Sequence, residues 1–202
     1  MGPLRPIGDI MNKRITTQQI VGTGLLLALE IIFQVIGNYL QFGPVNINIS
    51  LVAIVLAAVM YGPLSGAVLG FFNGIITLFS PSTQALFMSV SPVGTVVTCL
   101  LKCTIAGLVA GLVFKLFKKK QLVGAILASV LVPIINTGIF AINCLLFFRP
   151  LLITYSGSEQ IGDMMTFLIV GFIGWNFIFE IITTVVVSTP LSLLVIRRNM
   201  AA

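Results

Sequence analysis

The chain has 202 residues, of which 58% are hydrophobic and only 8% are charged, and its mean hydropathy is +1.15. A soluble domain of this size could not keep so much apolar surface away from water, so the composition excludes that class and indicates a membrane protein. The net charge of +6 is explained by contact with anionic lipid headgroups. A nucleic-acid-binding protein is disfavoured, because aromatic and basic residues do not alternate.

Six hydrophobic blocks follow one another and predict six transmembrane helices, since about 20 apolar residues cross ~30 Å of hydrocarbon. The predicted fold class is an all-α membrane protein. Residues 1–11 are expected to form a flexible extension and residues 12–198 the six-helix domain. The blocks cover roughly residues 16–40, 47–61, 63–79, 90–116, 121–148 and 164–196.

Basic residues lie almost entirely on alternate connections between the blocks. Nine of the eleven fall on one side, while Arg149 lies on the other side and Lys102 lies inside a block. By the positive-inside rule, this asymmetry predicts that both termini are cytoplasmic. The nine are Arg5, Lys13, Arg14, Lys115, Lys118, Lys119, Lys120, Arg197 and Arg198.

The first block carries a pair of small residues and a polar row. Gly24 and Ala28 are four residues apart, a spacing that lets a second helix approach closely. This pair is explained either by packing within the bundle or by docking of another membrane protein. Glu30, Gln34 and Asn38 are also spaced by four, and they place polar groups on one face of the same helix.

The second and third blocks are separated by almost nothing. Gly62-Pro63 predicts a tight hairpin in which the proline opens the third helix. Gly62, Gly66, Gly70 and Gly74 recur every four residues and form a smooth stripe. We interpret that stripe as a surface for packing inside the bundle.

The last three blocks contain polar residues that are costly in a membrane. An ionisable group at mid-membrane costs at least ~2.5 kcal/mol, so it normally faces the bundle interior or a wet cavity. With the predicted topology, these residues converge with Glu30, Gln34 and Asn38 of the first block on one pocket that opens outward, and they are predicted to bind the substrate there. The alternative is a buried ion pair of Lys102 with a glutamate that only fixes helix registry. The polar residues of these blocks are Thr95, Thr98, Lys102, Asn136, Asn143, Asn176 and Glu180, with Trp175 beside them.

Catalysis is disfavoured, because the chain contains no histidine and therefore no His-dependent triad or HExxH metal site. Cys99, Cys103 and Cys144 lie inside hydrophobic blocks and are interpreted as small apolar residues. No metal or cofactor is predicted. The polar residues suit a protein that binds a small polar organic molecule better than they suit an ion channel, since most of them are uncharged Asn, Gln and Thr.

The ordered combination of these features resembles a known family. Six spans, the Gly24/Ala28 pair, the hairpin and glycine stripe GPLSGAVLGFFNG and a basic connection after the fourth span are similar to the S component of energy-coupling factor (ECF) vitamin transporters. The resemblance covers about residues 12–198. It implies a prokaryotic cell-membrane subunit that binds a vitamin from outside. It also implies partners: a transmembrane coupling (T) protein and two cytoplasmic ATPases. The absence of a P-loop agrees with this division of labour.

The resemblance also implies roles for particular residues. Gly24 and Ala28 correspond to the family's docking pair, which usually consists of two alanines. The run FSPSTQALFMSVSPVGTVVTCLLK, residues 79–102, is similar to the pantothenate-type branch, in which the loop corresponding to residues 80–91 closes over the ligand. Lys102 would then hold the ligand carboxylate, together with Thr95, Thr98, Asn136 and Asn143.

Other substrates and another class of transporter stay open at this point. If Glu30 or Glu180 neutralises Lys102, a neutral or cationic ligand such as hydroxymethylpyrimidine or a thiamine precursor is favoured. Riboflavin and folate are further alternatives. A secondary transporter that works alone is the alternative outside the family, although no convincing internal repeat supports it.

Overall fold

The computed structural model describes residues 17–39, 41–42, 45–46, 48–117 and 119–201, and these are almost entirely helical. The predicted extension, residues 1–11, lies outside them. Two short strands, β1 (Gln41–Phe42) and β2 (Val45–Asn46), pair antiparallel. The helices are α1 (Thr17–Tyr39), α2 (Leu51–Tyr61), α3 (Pro63–Leu78), α4 (Pro81–Thr83), α5 (Pro92–Leu116), α6 (Gln121–Phe147), α7 (Arg149–Ser156), α8 (Ile161–Phe167), α9 (Gly174–Thr183) and α10 (Thr189–Ala201). Three π-helical segments, Gln84–Met88, Leu168–Ile173 and Thr184–Ser188, follow α4, α8 and α9.

The short helix α2 forms the centre of the bundle. All of its residues from Leu51 to Val59 are buried, and it contacts α1, α3, α5, α6 and α10. Its 11 residues extend about 16 Å, roughly half of the hydrocarbon thickness. The prediction of a full second span is therefore corrected. This segment is apolar because protein surrounds it, and it has no need to cross lipid.

The glycine stripe packs α3 against α5, as the sequence predicts. A Cβ atom added at Gly66 would lie 2.6 Å from the carbonyl oxygen of Gly107, and one added at Gly70 would overlap the carbonyl group of Cys103. The hairpin before α3 is also confirmed. Gly62 has φ of +101°, a value that favours glycine, and Pro63 is the first residue of α3.

Four helical stretches of the described chain are long and apolar enough to cross a membrane: Thr17–Gly37, Pro92–Leu116, Gln121–Phe147 and Gly174–Val195. The last of them runs from α9 through the π-helical segment into α10. A fifth candidate is α3 taken together with Pro81–Met88, although the two are bent by 64°. Six full spans are therefore not reached. The predicted sixth block is also divided, since Ile161–Gly171 is a separate short apolar helix.

The close contact of α3 with α5 predicts that the bundle does not tolerate Gly70→Ala. The added methyl group must displace the backbone at Cys103, which we expect to cost about 1–3 kcal/mol. The melting temperature of the purified protein in detergent should fall. Gly138→Ala in α6 is the matched control, because its new Cβ has no heavy atom within 4 Å. An unchanged melting temperature for Gly70→Ala would contradict this packing.

Candidate functional site

One cavity of about 840 Å³, counted to its open mouth, lies inside the bundle. Its walls come from α1, α3, α5, α6 and α9, from the turn before α2 and from the segment between α3 and α5. The lining residues are Gln34, Asn48, Thr77, Ser80, Ser82, Thr83, Phe87, Thr95, Thr98, Cys99, Lys102, Asn136, Thr137, Phe140, Phe148, Ile173, Asn176, Phe177 and Glu180.

Helix α5 supplies the cationic wall. Ser91 caps its N-terminus by accepting a hydrogen bond from the backbone N–H of Gly94 at 3.2 Å. Thr95, Thr98 and Lys102 follow at spacings of three and four, which places them on one helix face. The hydroxyl of Thr98 is buried and has no hydrogen-bond partner among the described residues.

The ammonium group of Lys102 faces an aromatic ring instead of a carboxylate. Its Nζ lies 5.6 Å from the centroid of Phe140, within the range of a cation–π interaction. In the part of the chain that the structure describes, no salt bridge joins it to Glu30 or Glu180. The buried ion pair considered from sequence is therefore not formed, and Lys102 presents its charge to the cavity.

The opposite wall contains Glu180, whose carboxylate accepts three hydrogen bonds from the protein. The backbone N–H of Asn48 donates to Oε1 at 3.2 Å. Asn136 Nδ2 and Thr137 Oγ1 donate to Oε2 at 3.5 and 3.4 Å. These donors stabilise the carboxylate inside the protein. Glu180 therefore has hydrogen-bond partners within the protein, whereas Lys102 has no anionic partner among the residues that the structure describes.

Further buried hydrogen bonds continue from Asn48 to α1 and α3. Asn48 Nδ2 donates to Asn73 Oδ1 at 3.3 Å, and Asn73 Nδ2 donates to the hydroxyl of Ser50. Ser50 donates to Gln34 Oε1 at 3.0 Å, and Gln34 Nε2 donates to Thr77 Oγ1 at 3.3 Å. We call the connected set the polar network; its members are Gln34, Asn48, Ser50, Asn73, Thr77, Cys103, Asn136, Thr137 and Glu180.

Aromatic rings form the part of the cavity wall near the segment between α3 and α5. Phe87 from that segment packs edge-on against Phe140 and Phe148, with ring centroids 5.7 and 5.0 Å apart. Ser80 and Thr83 from the same segment hydrogen bond to each other at 2.8 Å and line the cavity. The cavity thus combines aromatic rings with many polar side chains, which suits a small polar organic molecule.

Seven of the residues predicted to bind substrate line this cavity: Gln34, Thr95, Thr98, Lys102, Asn136, Asn176 and Glu180. Glu30 does not line it. That residue is fully buried, and neither of its carboxylate oxygens has a hydrogen-bond partner in the described chain. Asn143 is buried outside the lining. The side chain of Asn38 lies outside the described residues.

Trp175 also does not line the cavity, contrary to its placement beside the predicted site. Its side chain is 68% exposed, whereas the side chain of Asn176 is buried. Consecutive residues of a helix point about 100° apart, so the face that carries Asn176 and Glu180 turns Trp175 outward.

Sequence reasoning missed the aromatic wall and the turn before α2. Asn48 stands at the start of the second hydrophobic block, and its position directly before an apolar run was a signal that could have found it. The rings of Phe87, Phe140 and Phe148 gave no comparable signal, because the chain has 15 phenylalanines and most positions in such a sequence are apolar.

Comparison with known families decides the identity of the chain. The model of the family "ECF transporter, substrate-specific component" matches residues 18–192, most of the 202-residue sequence. The chain belongs to this family. The suspected S-component identity is thereby confirmed, and the protein is a multi-pass membrane subunit that binds the substrate of an ECF-type transporter. No curated protein and no solved structure is similar enough to this chain to count as a match.

In this substrate-specific component, the two small residues of α1 face away from the bundle. Gly24 and Ala28 are exposed, and a Cβ added at Gly24 would have no heavy atom within 4 Å. Gly22 differs, because a Cβ there would overlap the side chain of Tyr61. Packing within the chain therefore explains why residue 22 is a glycine. It does not explain the small residues Gly24 and Ala28, which are exposed on the outer surface of α1.

Proposed function

We propose that this substrate-specific component binds an anionic B-vitamin, pantothenate in particular, and delivers it to an ATP-driven ECF importer. The unpaired ammonium of Lys102 inside the cavity is the observation that carries the proposal. A cation held in a largely apolar site is best satisfied by an anion from the ligand.

The other groups of the cavity match the remainder of such a molecule. Pantothenate has a carboxylate at one end and an amide and two hydroxyl groups along its length. Thr98 stands one helical turn from Lys102 with a hydroxyl that is available to the carboxylate. Gln34 and Asn176 supply amide groups around the same space. The hydrogen bonds to Glu180 disfavour a cationic vitamin, since this carboxylate already has three donors.

The proposed topology places the cavity mouth outside the cell and both termini in the cytoplasm of a prokaryote. The basic residues of the connections support this orientation. The segment 80–91 then lies on the outer side, where Phe87 covers the cavity next to Phe148. The exposed Gly24–Ala28 surface is proposed to dock the T protein, which links this chain to the two ATPases.

Binding and uptake measurements test this function directly. The purified chain should bind pantothenate alone, and vesicles should accumulate it against a gradient only when the T protein, both ATPases and ATP are present. Isothermal titration and radiolabelled uptake measure the two properties. Accumulation by the chain alone under a proton or sodium gradient would contradict the proposal and indicate a secondary transporter.

Replacement of Lys102 by methionine removes the charge and keeps the length of the side chain. We expect loss of a charge-assisted contact worth about 2–5 kcal/mol, which weakens pantothenate binding on the order of 100-fold. The melting temperature should change little, because no salt bridge is broken. Lys115→Met, at the exposed end of α5, is the matched control and should bind normally. Unchanged affinity in Lys102→Met would exclude Lys102 as the counter-ion of the ligand.

Bulky substitutions on the exposed face of α1 separate docking from binding. Ala28→Trp should reduce co-purification of the chain with the T protein and leave vitamin affinity within about twofold, because close helix approach drives association in lipid. Val186→Trp adds the same bulk at another exposed position and serves as the control. Loss of vitamin binding with intact assembly would show that Ala28 does not belong to the docking surface.

A further inference from the structure

We infer that Asn136 is a positioning residue: it holds the carboxylate of Glu180 away from the ammonium of Lys102 and so keeps that ammonium available to an anionic ligand. The inference rests on the proposed function and concerns the charge selectivity of the same cavity.

Lys102 and Glu180 line the same cavity with opposite charges, and they attract each other. Attraction between unit charges is strong where water is scarce. In the described chain the two nevertheless form no salt bridge. The three hydrogen bonds to Glu180 explain this, because its oxygens are held by the turn before α2 and by α6. A carboxylate that lost these donors would turn toward the ammonium.

Asn136 is the side-chain amide among these donors, and its oxygen faces a neighbour on α5. Cys103 Sγ lies 3.2 Å from Asn136 Oδ1 and 3.1 Å from Asn73 Oδ1, so its one proton lies between two amide oxygens. With Oδ1 directed to the thiol, Nδ2 of Asn136 points to Glu180 Oε2 at 3.5 Å. Asn136 is only 4% exposed, so its amide has little freedom to find other partners. Cys103 on α5 contacts Asn136 on α6, and Asn136 in turn contacts Glu180 on α9. These two contacts therefore link the position of Glu180 to α5, the helix that carries Lys102.

This arrangement explains how one cavity holds both charges and still offers a cation to the ligand. A direct salt bridge would neutralise Lys102 and leave a pocket suited to neutral ligands. The protein instead satisfies Glu180 with neutral donors, which stabilise the carboxylate and leave the cation without a protein anion. Asn136 thus determines ligand class through Glu180, even where it makes no contact with the ligand itself.

Paired ligands that differ in charge test the inference. Asn136→Leu should weaken binding of pantothenate by about tenfold or more, because Glu180 then competes for Lys102. Binding of pantothenol, the neutral alcohol, should weaken much less. In Asn136→Leu/Glu180→Gln the competing charge is gone, and most of the pantothenate affinity should return. Ser129→Ala is the control: it removes a buried hydrogen bond two turns away on α6, outside the cavity.

A second readout requires no ligand. In the otherwise unchanged protein, Lys102→Met should shift the melting temperature little. In Asn136→Leu the same change should lower it by about 5 °C more, because it then breaks a newly formed buried ion pair. Equal shifts in the two backgrounds would overturn the inference.

The binding data separate three cases. Equal weakening of both ligands without rescue by Glu180→Gln would show that Asn136 contacts the ligand or only supports the fold, and the inference fails. No weakening at all also overturns it. If the unchanged protein binds neither ligand, the proposed vitamin is wrong, and the melting temperatures alone decide whether Asn136 holds the two charges apart.

Discussion

The half-length helix α2 is the constraint on which the rest of the structure depends. Its N-terminal end lies inside the bundle, where unpaired backbone groups would cost several kcal/mol each. The first N–H groups of α2 donate to the backbone carbonyls of residues 48–50 in the turn before the helix. The polar network holds that turn: the N–H of Asn48 donates to Glu180, and Ser50 binds α1 and α3 through Gln34 and Asn73. The carboxylate of Glu180 also lies near the positive end of the α2 dipole. One set of hydrogen bonds thus fixes the turn that starts α2 and joins it to five helices.

The same constraint produces the cavity. Asn48, in the turn that leads into α2, lines the cavity wall, and the long helices α5 and α6 continue past it. The glycine stripe keeps α3 tight against α5 on one side, and both helices then form part of the cavity wall together with α1, α6 and α9. Residues that stabilise the fold and residues that line the cavity are consequently neighbours, and Asn48, Asn136 and Glu180 belong to both groups.

The sequence predicts those parts of the site that lie on single continuous helices. Thr95, Thr98 and Lys102 follow from the helical period of α5, and so do Asn176 and Glu180 on α9. It fails where tertiary contacts decide. A lipid-facing span and a helix enclosed by protein both consist of a short apolar run. The sequence pattern therefore predicts a membrane span where the structure has the enclosed helix α2. The one-residue step from Asn176 turns Trp175 outward, and no local pattern shows that Phe87 folds back onto Phe140 and Phe148.

Helix α1 contributes to two different surfaces of the protein. Its exposed side presents Gly24 and Ala28, and its buried side contributes Gln34 to the cavity. Ala28 and Gln34 are six residues apart, about 9 Å along a rigid helix. Gln34 is bound on one side by Ser50 and on the other by Thr77. A displacement of α1 would therefore strain these two bonds first, and through them the polar network around the cavity.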